Sequence, residues 1–368
     1  MGRMWTRDVR IGSGKCQIAL SGGLVAHTGP LVAARCGAHR PSSVALVSDS
    51  RVAELYADRV VESLEQADFR TCVYRLRPGE GSKTVAELER VYDFLMTHRL
   101  GRDGLVVALG GGVVSDLAGL AAATWMRGVD WAVVPTTLVG AIDAAIGGKT
   151  AVNLPGGKNL VGAFHQPRFI LIDPDVLRTL DAGDIRAGLA ESIKHALISS
   201  AGLFDWHEQH GMRILELDGS VLTELIVRNI EIKLAIVTKD PLERSGERAF
   251  LNLGHTIGHA IEECCGYELR HGECVALGLV AACRLSREAG LLAEPDVVRI
   301  ERLLAAFGLP TRLASPMDSQ RIVQALERDK KVRDGKVRFV LLQEIGRPVV
   351  CADVPQESAV RAFESLLP

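Results

Sequence analysis

The chain has 368 residues, of which 47% are hydrophobic and 24% are charged, and its formal net charge is -2. This length is typical of about two domains, and the composition excludes a disordered protein. The nearly balanced charge argues against a nucleic-acid or membrane partner, and the chain has neither a signal-peptide pattern nor an apolar run of about 18 residues. We therefore expect a soluble cytoplasmic protein.

The eight cysteines favour buried free thiols over a metal cluster or a disulfide framework. No two of them are spaced as C-x-x-C, and most lie within apolar runs. Cys264, Cys265 and Cys274 lie near several histidines, so a thiolate metal ligand is the alternative for these three.

The first half of the chain alternates strand-like apolar runs with amphipathic helical segments. Strands are predicted at residues 42–50, 71–76, 104–112, 131–137 and 168–174. Continuous runs of Val, Ile and Leu separated by helices indicate a parallel sheet that is covered on both faces. Ligands of such a sheet gather at the carboxyl ends of its strands.

After about Asp181 the predicted secondary structure changes from alternating strands and helices to mainly helices. The segments of this second half have helical spacing, and only residues 336–352 resemble a hairpin, with the turn near Gly346. The fold prediction is therefore α/β, with an N-terminal Rossmann-like parallel-sheet domain (1–181) followed by a mainly α-helical, metal- and substrate-binding domain (182–368). We expect the active site in the cleft between them.

Polar residues and glycines stand at successive predicted strand ends. Gly110, Gly111 and Gly112 end one strand and open a helix that carries Asp116, where backbone amides can approach a pyrophosphate. Asp49 suits a ribose hydroxyl, and Glu80 with Lys83 forms a second polar loop. Each signal alone also fits a structural turn, but together they favour a bound dinucleotide.

The segment 135–167 is rich in glycine and holds isolated polar residues among apolar ones. It contains Asp143, Lys149, Lys158 and Asn159. One interpretation is a glycine-rich surface loop with solvated lysines. The other is a phosphate-binding loop, in which the ammonium groups and the amide contact an anionic substrate.

Two helical segments carry paired polar residues. Glu191 and Lys194 share one face of a helix with almost no other polar residue, which suggests that the pair points into a cleft; His195 is interpreted as structural. Later, Arg248, Asn252, His255 and His259 recur at steps of three and four, as one polar stripe on a single apolar helix.

The histidines permit more than one role. His255 and His259 are spaced as HxxxH, but the glutamate of the zinc-protease motif is missing, which excludes that class. His271 follows after a polar break. Metal binding by the histidine pair and a mixed ligand and acid–base role both remain open on spacing alone.

Several segments together resemble the 3-dehydroquinate synthases, within the sugar-phosphate cyclase superfamily. The resemblance runs from about Asp49 to Lys331 and rests on many blocks in the same order, among them GGGVVSDLAG, PTTLVGAIDAAIGGKTAVNLPGGKN, GLAESIK, LNLGHTIGHAIE and HGECVALG. It implies a cytoplasmic, homodimeric enzyme of the shikimate pathway (aromatic amino-acid biosynthesis) that uses NAD and Zn²⁺ or Co²⁺. The implied reaction converts 3-deoxy-D-arabino-heptulosonate 7-phosphate to 3-dehydroquinate and phosphate.

The resemblance also implies roles for individual residues. Glu191, His255 and His271 would bind the metal, whereas His259 would contact the substrate. Residues that would hold substrate hydroxyls, carboxylate or phosphate are Asp143, Lys149, Asn159, Lys194, Arg248, Asn252, Lys331 (favoured over Lys330) and Arg127, the last across a dimer. Lys233 joins them, although the chain is one residue longer than usual between it and Arg248. Residues that would hold NAD are Asp49, Glu80, Lys83, Gly110, Gly111, Gly112, Asp116, Thr136, Thr137, Lys149 and Lys158.

Three other functions compete with this one. Another sugar-phosphate cyclase, acting on sedoheptulose 7-phosphate (the 2-epi-5-epi-valiolone synthase type) or on glucose 6-phosphate, would alter the residues that contact the substrate carboxylate and hydroxyls. Arg248, Asn252 and His259 argue against it. A metal-dependent polyol dehydrogenase would not need the lysine-rich segment. A non-catalytic NAD or phosphate sensor would not need three metal ligands.

Overall fold

The computed structural model describes residues 4–37, 40–266, 268–327, 332–333 and 336–368. The chain forms two compact units, Met1–Leu180 and Asp181–Pro368. Lys331 and its alternative Lys330 lie outside the described residues.

The first unit contains a seven-stranded sheet with the strand order β1-β2-β9-β6-β5-β3-β4. Every neighbouring pair is parallel except β1 and β2. The predicted parallel sheet is therefore confirmed. Its strands are β1 (Trp5–Ile11), β2 (Gly14–Leu20), β3 (Ser43–Asp49), β4 (Arg70–Leu76), β5 (Leu105–Gly110), β6 (Asp130–Pro135) and β9 (Phe169–Ile172).

Helices cover this sheet because its central strands are apolar on both faces. Strands β5 and β9 are buried at every position, and β3 and β6 at all but one end residue. Asp49 and Thr84 cap α2 and α3 by accepting backbone amides of Val52 and Glu87. The helices are α1 (Thr28–Cys36), α2 (Ser50–Gln66), α3 (Val85–Thr97) and α4 (Gly112–Thr124).

Strands β1 and β2 were not predicted from the sequence. They form an antiparallel hairpin whose turn contains Gly12 at φ 61, so that β2 extends the sheet beside β9. The alternating run Trp5–Ile11 is mostly solvent-exposed, and therefore lacks the continuous apolar character of the other strands. The Gly-Ser-Gly turn between the two runs is the sequence signal that could have identified the hairpin.

Both interpretations of the segment 135–167 assumed a single loop, but the structure shows a helical turn and a hairpin there. A π-helical turn (Gly140–Ala144) carries Asp143, and an antiparallel hairpin of β7 (Lys149–Leu154) and β8 (Gly157–Phe164) follows. The middle of β7, Thr150–Val152, is buried, whereas Lys149 and Leu154 at its two ends are exposed. Lys149, Lys158 and Asn159 therefore project from a hydrogen-bonded hairpin.

The second unit is mainly helical, which confirms the predicted change of character. Asp181, Ser200 and Asp218 cap its first three helices through their side-chain oxygens. Its helices are α5 (Ala182–Ser199), α6 (Ala201–Leu215), α7 (Gly219–Lys239), α8 (His255–Cys264), α9 (His271–Glu288), α10 (Glu294–Ala306), α11 (Ser319–Glu327) and α12 (Gln356–Glu364).

The predicted late hairpin is also present. Strand β12 (Phe339–Glu344) pairs antiparallel with β13 (Arg347–Cys351), with Gly346 in the turn at φ 93. Two short strands precede it, β10 (Val332–Arg333) and β11 (Lys336–Val337). In the parts of the chain that the structure describes, no helix combines the length and apolar character needed to cross a membrane.

The prediction of one continuous helix through Arg248, Asn252, His255 and His259 is wrong. Residues Glu247–Asn252 form a 3-10 turn, and Gly254 then adopts a left-handed conformation (φ 76) before α8 begins at His255. A residue with a β-carbon rarely adopts this conformation, so the glycine separates the two elements. Only His255 and His259 share a helical face.

A fully buried polar network links α5, α6 and α7. The His195 Nδ1–H donates to the Asn229 amide oxygen (2.9 Å), and the Asn229 nitrogen donates to the Ser192 hydroxyl (2.7 Å). The Ser192 hydroxyl in turn donates to His207 Nε2 (2.8 Å), because His207 Nδ1–H donates to the Leu203 carbonyl (2.7 Å). His195 therefore has the structural role expected for it, and both rings have defined tautomers.

We predict that the stability of the protein falls on mild acidification because of His207. Burial lowers the pKa of His207 to about 4, so the unfolded chain, with its ordinary pKa near 6.5, takes up the proton first. The free energy of unfolding should drop by about 2 kcal/mol between pH 7 and pH 5 from this group. Urea titrations at both pH values measure the drop, and an H207Q variant that keeps the full drop would contradict it.

Candidate metal centre and active-site residues

A buried carboxylate lies at the centre of the second unit. Glu191 and Lys194, three residues apart on α5, are each only 1% exposed, and Lys194 Nζ lies 2.5 Å from Glu191 Oε2. Burial alone would raise the pKa of Glu191, but the positive charge of Lys194 outweighs it and holds this pKa well below its ordinary value. The carboxylate is therefore ionised, and the pair is buried, as the apolar flanks of its helix indicated.

Two histidines approach the other oxygen of this carboxylate. His255 Nε2 lies 3.4 Å and His271 Nε2 lies 3.3 Å from Glu191 Oε1. The Nδ1–H of His255 donates to the Leu253 carbonyl (3.0 Å), so the lone pair of the neutral ring is on Nε2. Burial lowers the pKa of His255 and keeps the ring neutral, which is the form that binds metal ions.

His271 occupies the first position of α9 and lies between two carboxylates. Its Nε2 faces Glu191, and its Nδ1 lies 3.5 Å from Glu262 Oε2. Burial favours the neutral ring, but the hydrogen bonds to Glu191 and Glu262 and their charges raise the pKa of His271. A cation is therefore favoured at this position, whether it is a proton or a metal ion.

His259 completes a cluster of three imidazole rings. Its ring centroid lies 5.2 Å from that of His255 and 5.7 Å from that of His271. One nitrogen from each of the three rings lies within 4.8 Å of the others. The donors offer two possible sets, three histidines or Glu191 with His255 and His271. Both suit Zn²⁺ or Co²⁺, which bind imidazole nitrogen and carboxylate oxygen.

Glycines allow the helices that carry these ligands to approach each other closely. A β-carbon on Gly272 would lie 2.2 Å from the Ala187 Cα, so α9 contacts the backbone of α5 directly. A β-carbon on Gly278 would lie 1.9 Å from the Gly254 oxygen, and one on Gly258 would lie 2.8 Å from a backbone oxygen of α9. Helices α5, α8 and α9 therefore pack backbone to backbone around the cluster.

A loop anchored by Asp240 precedes α8, the helix that carries His255 and His259. The Asp240 carboxylate, in a residue that is 3% exposed, accepts the backbone amides of Arg244 (2.7 Å), Ser245 (3.2 Å), Gly246 (3.1 Å) and Arg248 (3.2 Å). Burial would raise the pKa of Asp240, but these amides outweigh it and lower the pKa to about 2. The loop is therefore folded around a permanent negative charge.

This loop contacts two of the predicted substrate residues, Arg248 and Asn252. Arg248 is buried, and its Nη1 donates to the Pro241 carbonyl (2.6 Å). Asn252 Nδ2 donates to the Glu243 carboxylate (3.2 Å). Lys233 is buried on α7, the helix that packs on the turn containing Arg248 and Asn252.

In the first unit, the predicted cofactor residues lie at one edge of the sheet. Asp49 and Gly110 are the last residues of β3 and β5, and Thr136 follows β6; these three strands are parallel neighbours. Helix α4 begins at Gly112 with Gly111 at its N-cap, a residue without a side chain that could cap it. Thr137 accepts the Gly140 amide at 3.0 Å and so starts the π-helical turn.

The hydroxyl of Thr136 is an unexplained polar atom at this edge. Thr136 is 2% exposed, and its Oγ1 is buried without a hydrogen-bond partner among the residues that the structure describes. Such an atom costs free energy unless a ligand satisfies it. The edge therefore fits a polar cofactor.

A second polar cluster joins the hairpin β7–β8 to the loop before α3. The buried Lys83 donates to Asp116 and Asn159, and Asn153 donates to Glu80 (2.8 Å). Lys158 Nζ lies 3.5 Å from the same Glu80 oxygen. Asn159 adopts a left-handed backbone (φ 56), which places its side chain toward Lys83. These predicted residues are thus neighbours.

The remaining predicted residues of the first unit lie elsewhere on it. Asp143 is half-buried in the π-helical turn, and Lys149 is exposed at the start of β7. Arg127 is exposed in a strained turn in which Met126 (φ 48) and Arg127 (φ 71) are both left-handed. Such strain is common at functional sites.

Sequence reasoning missed three residues of these clusters. Asn153 pairs with Glu80, Glu243 with Asn252, and Glu262 with His271. Glu262 could have been found, because it stands seven residues after His255 and three after His259, on the same face of α8. Asn153 and Glu243 carry no comparable local signal.

Comparisons with known proteins identify the family. Residues 73–187 match the family model of the 3-dehydroquinate synthase N-terminal domain, and residues 188–332 match that of its C-terminal domain. The 3-dehydroquinate synthase of Desulforamulus reducens is 46% identical over 85% of this chain and 87% of its own length.

Two solved structures have the same overall fold. One is 2-epi-5-epi-valiolone synthase of Streptomyces hygroscopicus with NAD⁺ and Zn²⁺ bound, at 30% identity and a TM-score of 0.88, covering 98% of this chain and 99% of that one. The other is 2-deoxy-scyllo-inosose synthase with carbaglucose-6-phosphate, NAD⁺ and Co²⁺, at 25% identity and a TM-score of 0.90, covering 99% and 100%.

The fold, with its parallel-sheet unit and its helical unit, is that of the sugar-phosphate cyclases, and the histidine–carboxylate cluster offers donors that suit the Zn²⁺ or Co²⁺ of those two structures. Within that class, the chain belongs to the 3-dehydroquinate synthase family. The family predicted from the sequence is confirmed.

We predict that G272A separates α9 from α5 and weakens metal binding. A β-carbon there meets the Ala187 backbone, so the free energy of unfolding should fall by about 1–3 kcal/mol. Zinc affinity, measured by chelator competition, should fall at least about tenfold, because His271 is the neighbouring residue.

The matched control for this variant is G202A, near the start of α6. A β-carbon at Gly202 meets nothing closer than 3.8 Å, so G202A should keep wild-type zinc affinity and stability. A folded G272A protein with wild-type zinc affinity would show that the close approach of α5 and α9 does not set the metal centre.

Proposed function

We propose that this chain is a 3-dehydroquinate synthase, which converts 3-deoxy-D-arabino-heptulosonate 7-phosphate to 3-dehydroquinate and phosphate. The observation that carries the proposal is the cluster in which one oxygen of the buried Glu191 faces His255 Nε2 and His271 Nε2 at 3.4 and 3.3 Å. Such a set leaves open positions for substrate hydroxyls, as a catalytic metal requires.

The metal ligands in this proposal are Glu191, His255 and His271, and the ion is Zn²⁺ or Co²⁺. This set is favoured over three histidines because the Glu191 carboxylate is ionised and buried and lies 3.4 and 3.3 Å from the Nε2 atoms of His255 and His271. Related cyclases carry NAD⁺ with Zn²⁺ or Co²⁺. His259, which is half-buried beside this set, then contacts the substrate.

NAD binds at the carboxyl edge of the sheet. Backbone amides of Gly110, Gly111 and Gly112 at the start of α4 meet the pyrophosphate, and Thr136 gains the partner that its hydroxyl lacks. Residues that also contribute are Asp49, Glu80, Lys83, Asp116, Thr137, Lys149 and Lys158. A metal ion held there would supply Lewis-acid polarisation of a substrate hydroxyl, and NAD would supply a hydride acceptor that is regenerated in each turnover.

The side chains of this chain bind and orient the substrate. Arg248 and Asn252 hold its carboxylate and hydroxyls from the loop that Asp240 anchors, and Lys194 and Lys233 contribute buried positive charge. In the other unit, Asp143, Lys149, Asn159 and Arg127 are the residues proposed to contact the substrate and its phosphate. Cations near the phosphate stabilise its charge as it leaves.

The competing functions have less support. The 3-dehydroquinate synthase of Desulforamulus reducens is 46% identical to the chain, whereas the valiolone-type cyclase is 30% identical. A polyol dehydrogenase would release NADH and has no use for the lysines of the β7–β8 hairpin.

We also propose a cytoplasmic homodimer. The hairpin β7–β8 exposes Leu154, Leu160, Val161 and Phe164, each by 39% or more, and a second copy of the chain would cover such apolar side chains. Arg127 would then reach the phosphate of the neighbouring subunit. The eight cysteines are free thiols, as is usual in a reducing compartment.

We predict that the purified protein, supplied with NAD and Zn²⁺, releases phosphate from the heptulosonate phosphate without net NADH. Phosphate release and absorbance at the NADH band are followed with a panel that includes sedoheptulose 7-phosphate, glucose 6-phosphate and glycerol. Phosphate release from sedoheptulose 7-phosphate alone would identify a valiolone-type cyclase. Stoichiometric NADH with a polyol would identify a dehydrogenase.

We predict that H271A abolishes zinc retention, whereas H259A keeps the ion and loses turnover. The difference follows from the position of His271 beside Glu191 and of His259 outside the proposed ligand set. Metal content after gel filtration, together with kcat, separates the two variants. If H259A loses zinc as completely as H271A, the three-histidine set holds the ion.

A further inference from the structure

We propose that Glu262 is a positioning residue of the metal centre, which holds the imidazole ring of His271 with its Nε2 toward Glu191. This inference rests on the proposed function, because it assumes that His271 binds a metal ion. Glu262 acts through His271 and contacts neither the substrate nor the ion.

The geometry places His271 between two carboxylates from different helices. Glu262 on α8 directs Oε2 to His271 Nδ1 at 3.5 Å, and Glu191 on α5 directs Oε1 to His271 Nε2 at 3.3 Å. The Glu262 residue is only 4% exposed, although an ionised carboxylate is costly to bury without a partner. Glu262 and Glu191 therefore lie on opposite sides of the ring.

The chemistry of imidazole explains what this contact accomplishes. A neutral ring has one N–H, and when Nδ1–H donates to Glu262, the lone pair must be on Nε2, the atom beside Glu191. A carboxylate acceptor also makes the ligating nitrogen more basic. The contact thus selects both the tautomer and the ring orientation that bind a metal ion.

His271 needs such an anchor more than His255 does. The His255 side chain is 11% exposed and already donates Nδ1–H to the Leu253 carbonyl, within its own helix terminus. The His271 side chain is 38% exposed, and its Nδ1 faces the Glu262 carboxylate, whereas His255 Nδ1 has a backbone carbonyl two residues away. A side chain from another helix therefore supplies the second contact.

The position of Glu262 follows from the packing of the two helices. It lies on the same face of α8 as His255 and His259, and Gly258 lets that helix approach the backbone of α9. The carboxylate is thus carried by the helix that also carries the ligand His255. One rigid element then sets the distance between both histidines.

The test compares the zinc affinity of four proteins: wild type, E262A, E262Q and E263Q. Glu263 is the matched control, because it is the next residue of α8 and is exposed. Zinc dissociation constants are measured by chelator competition without substrate, and folding is checked by circular dichroism and thermal unfolding. The visible spectrum of the Co²⁺-loaded proteins reports the ligand geometry directly.

We expect E262A to weaken zinc binding by about 10- to 100-fold. E262Q should weaken it less, because an amide oxygen still accepts from Nδ1–H but carries no charge. E263Q should match the wild type within about twofold, and the Co²⁺ spectrum should change in E262A alone or most strongly there.

The positioning role is overturned if folded E262A binds zinc as tightly as the wild type and gives the same Co²⁺ spectrum. Should E262A fail to fold, E262Q decides, and unchanged zinc affinity in E262Q overturns the role. A wild-type protein that binds no zinc overturns the proposed metal centre as well. If the wild type binds zinc and E262A binds it equally tightly, the proposed function stands and only the positioning role of Glu262 is overturned.

Discussion

The close approach of α5, α8 and α9 is the constraint on which the metal centre depends. Gly272 and Gly278 let α9 touch the backbones of its two neighbours, at distances that any β-carbon would forbid. Glu191 and His271, which are 80 residues apart in the chain, come within 3.3 Å of each other as a result. Because interiors are close-packed, a small separation of these helices would move the donor atoms apart.

Electrostatics determines what such a centre can hold. Lys194 neutralises part of the Glu191 charge, yet the carboxylate oxygen facing the histidines remains unpaired with any fixed cation of α5. That arrangement favours a cation between the rings. Elsewhere on α5, Ser192 and His195 enter the buried network with His207 and Asn229, which fixes the rotation of the helix and hence the direction of Glu191.

Much of the fold could be predicted from the sequence, because buried parallel strands and amphipathic helices have distinct periodicities. The five predicted strands lie in the sheet, and the change to helices falls near Asp181. The hairpin β1–β2 was missed because its exposed strand has little apolar character. The helix predicted through Arg248 and His259 failed because periodicity cannot detect the left-handed Gly254.

The site was less accessible to local reasoning. Spacing within one helix grouped His255 with His259, whereas in the structure Glu191 Oε1 lies 3.4 and 3.3 Å from the Nε2 atoms of His255 and His271. Contacts between distant segments depend on how helices pack, and a periodic pattern carries no information about them. The resemblance to a family supplied Glu191 and His271 together. The structure added Glu243, which carries no local sequence signal, and Glu262, whose helical spacing to His259 could have indicated it.

The identity of the metal ligands is tested most directly by diffraction from the zinc-loaded protein, with data collected on both sides of the zinc absorption edge. We predict one anomalous peak bonded to a carboxylate oxygen of Glu191 and to the Nε2 atoms of His255 and His271, at about 2.0–2.2 Å from each. His259 should lie outside bonding distance. A peak bonded to all three histidines, with Glu191 still paired only to Lys194, would contradict this assignment.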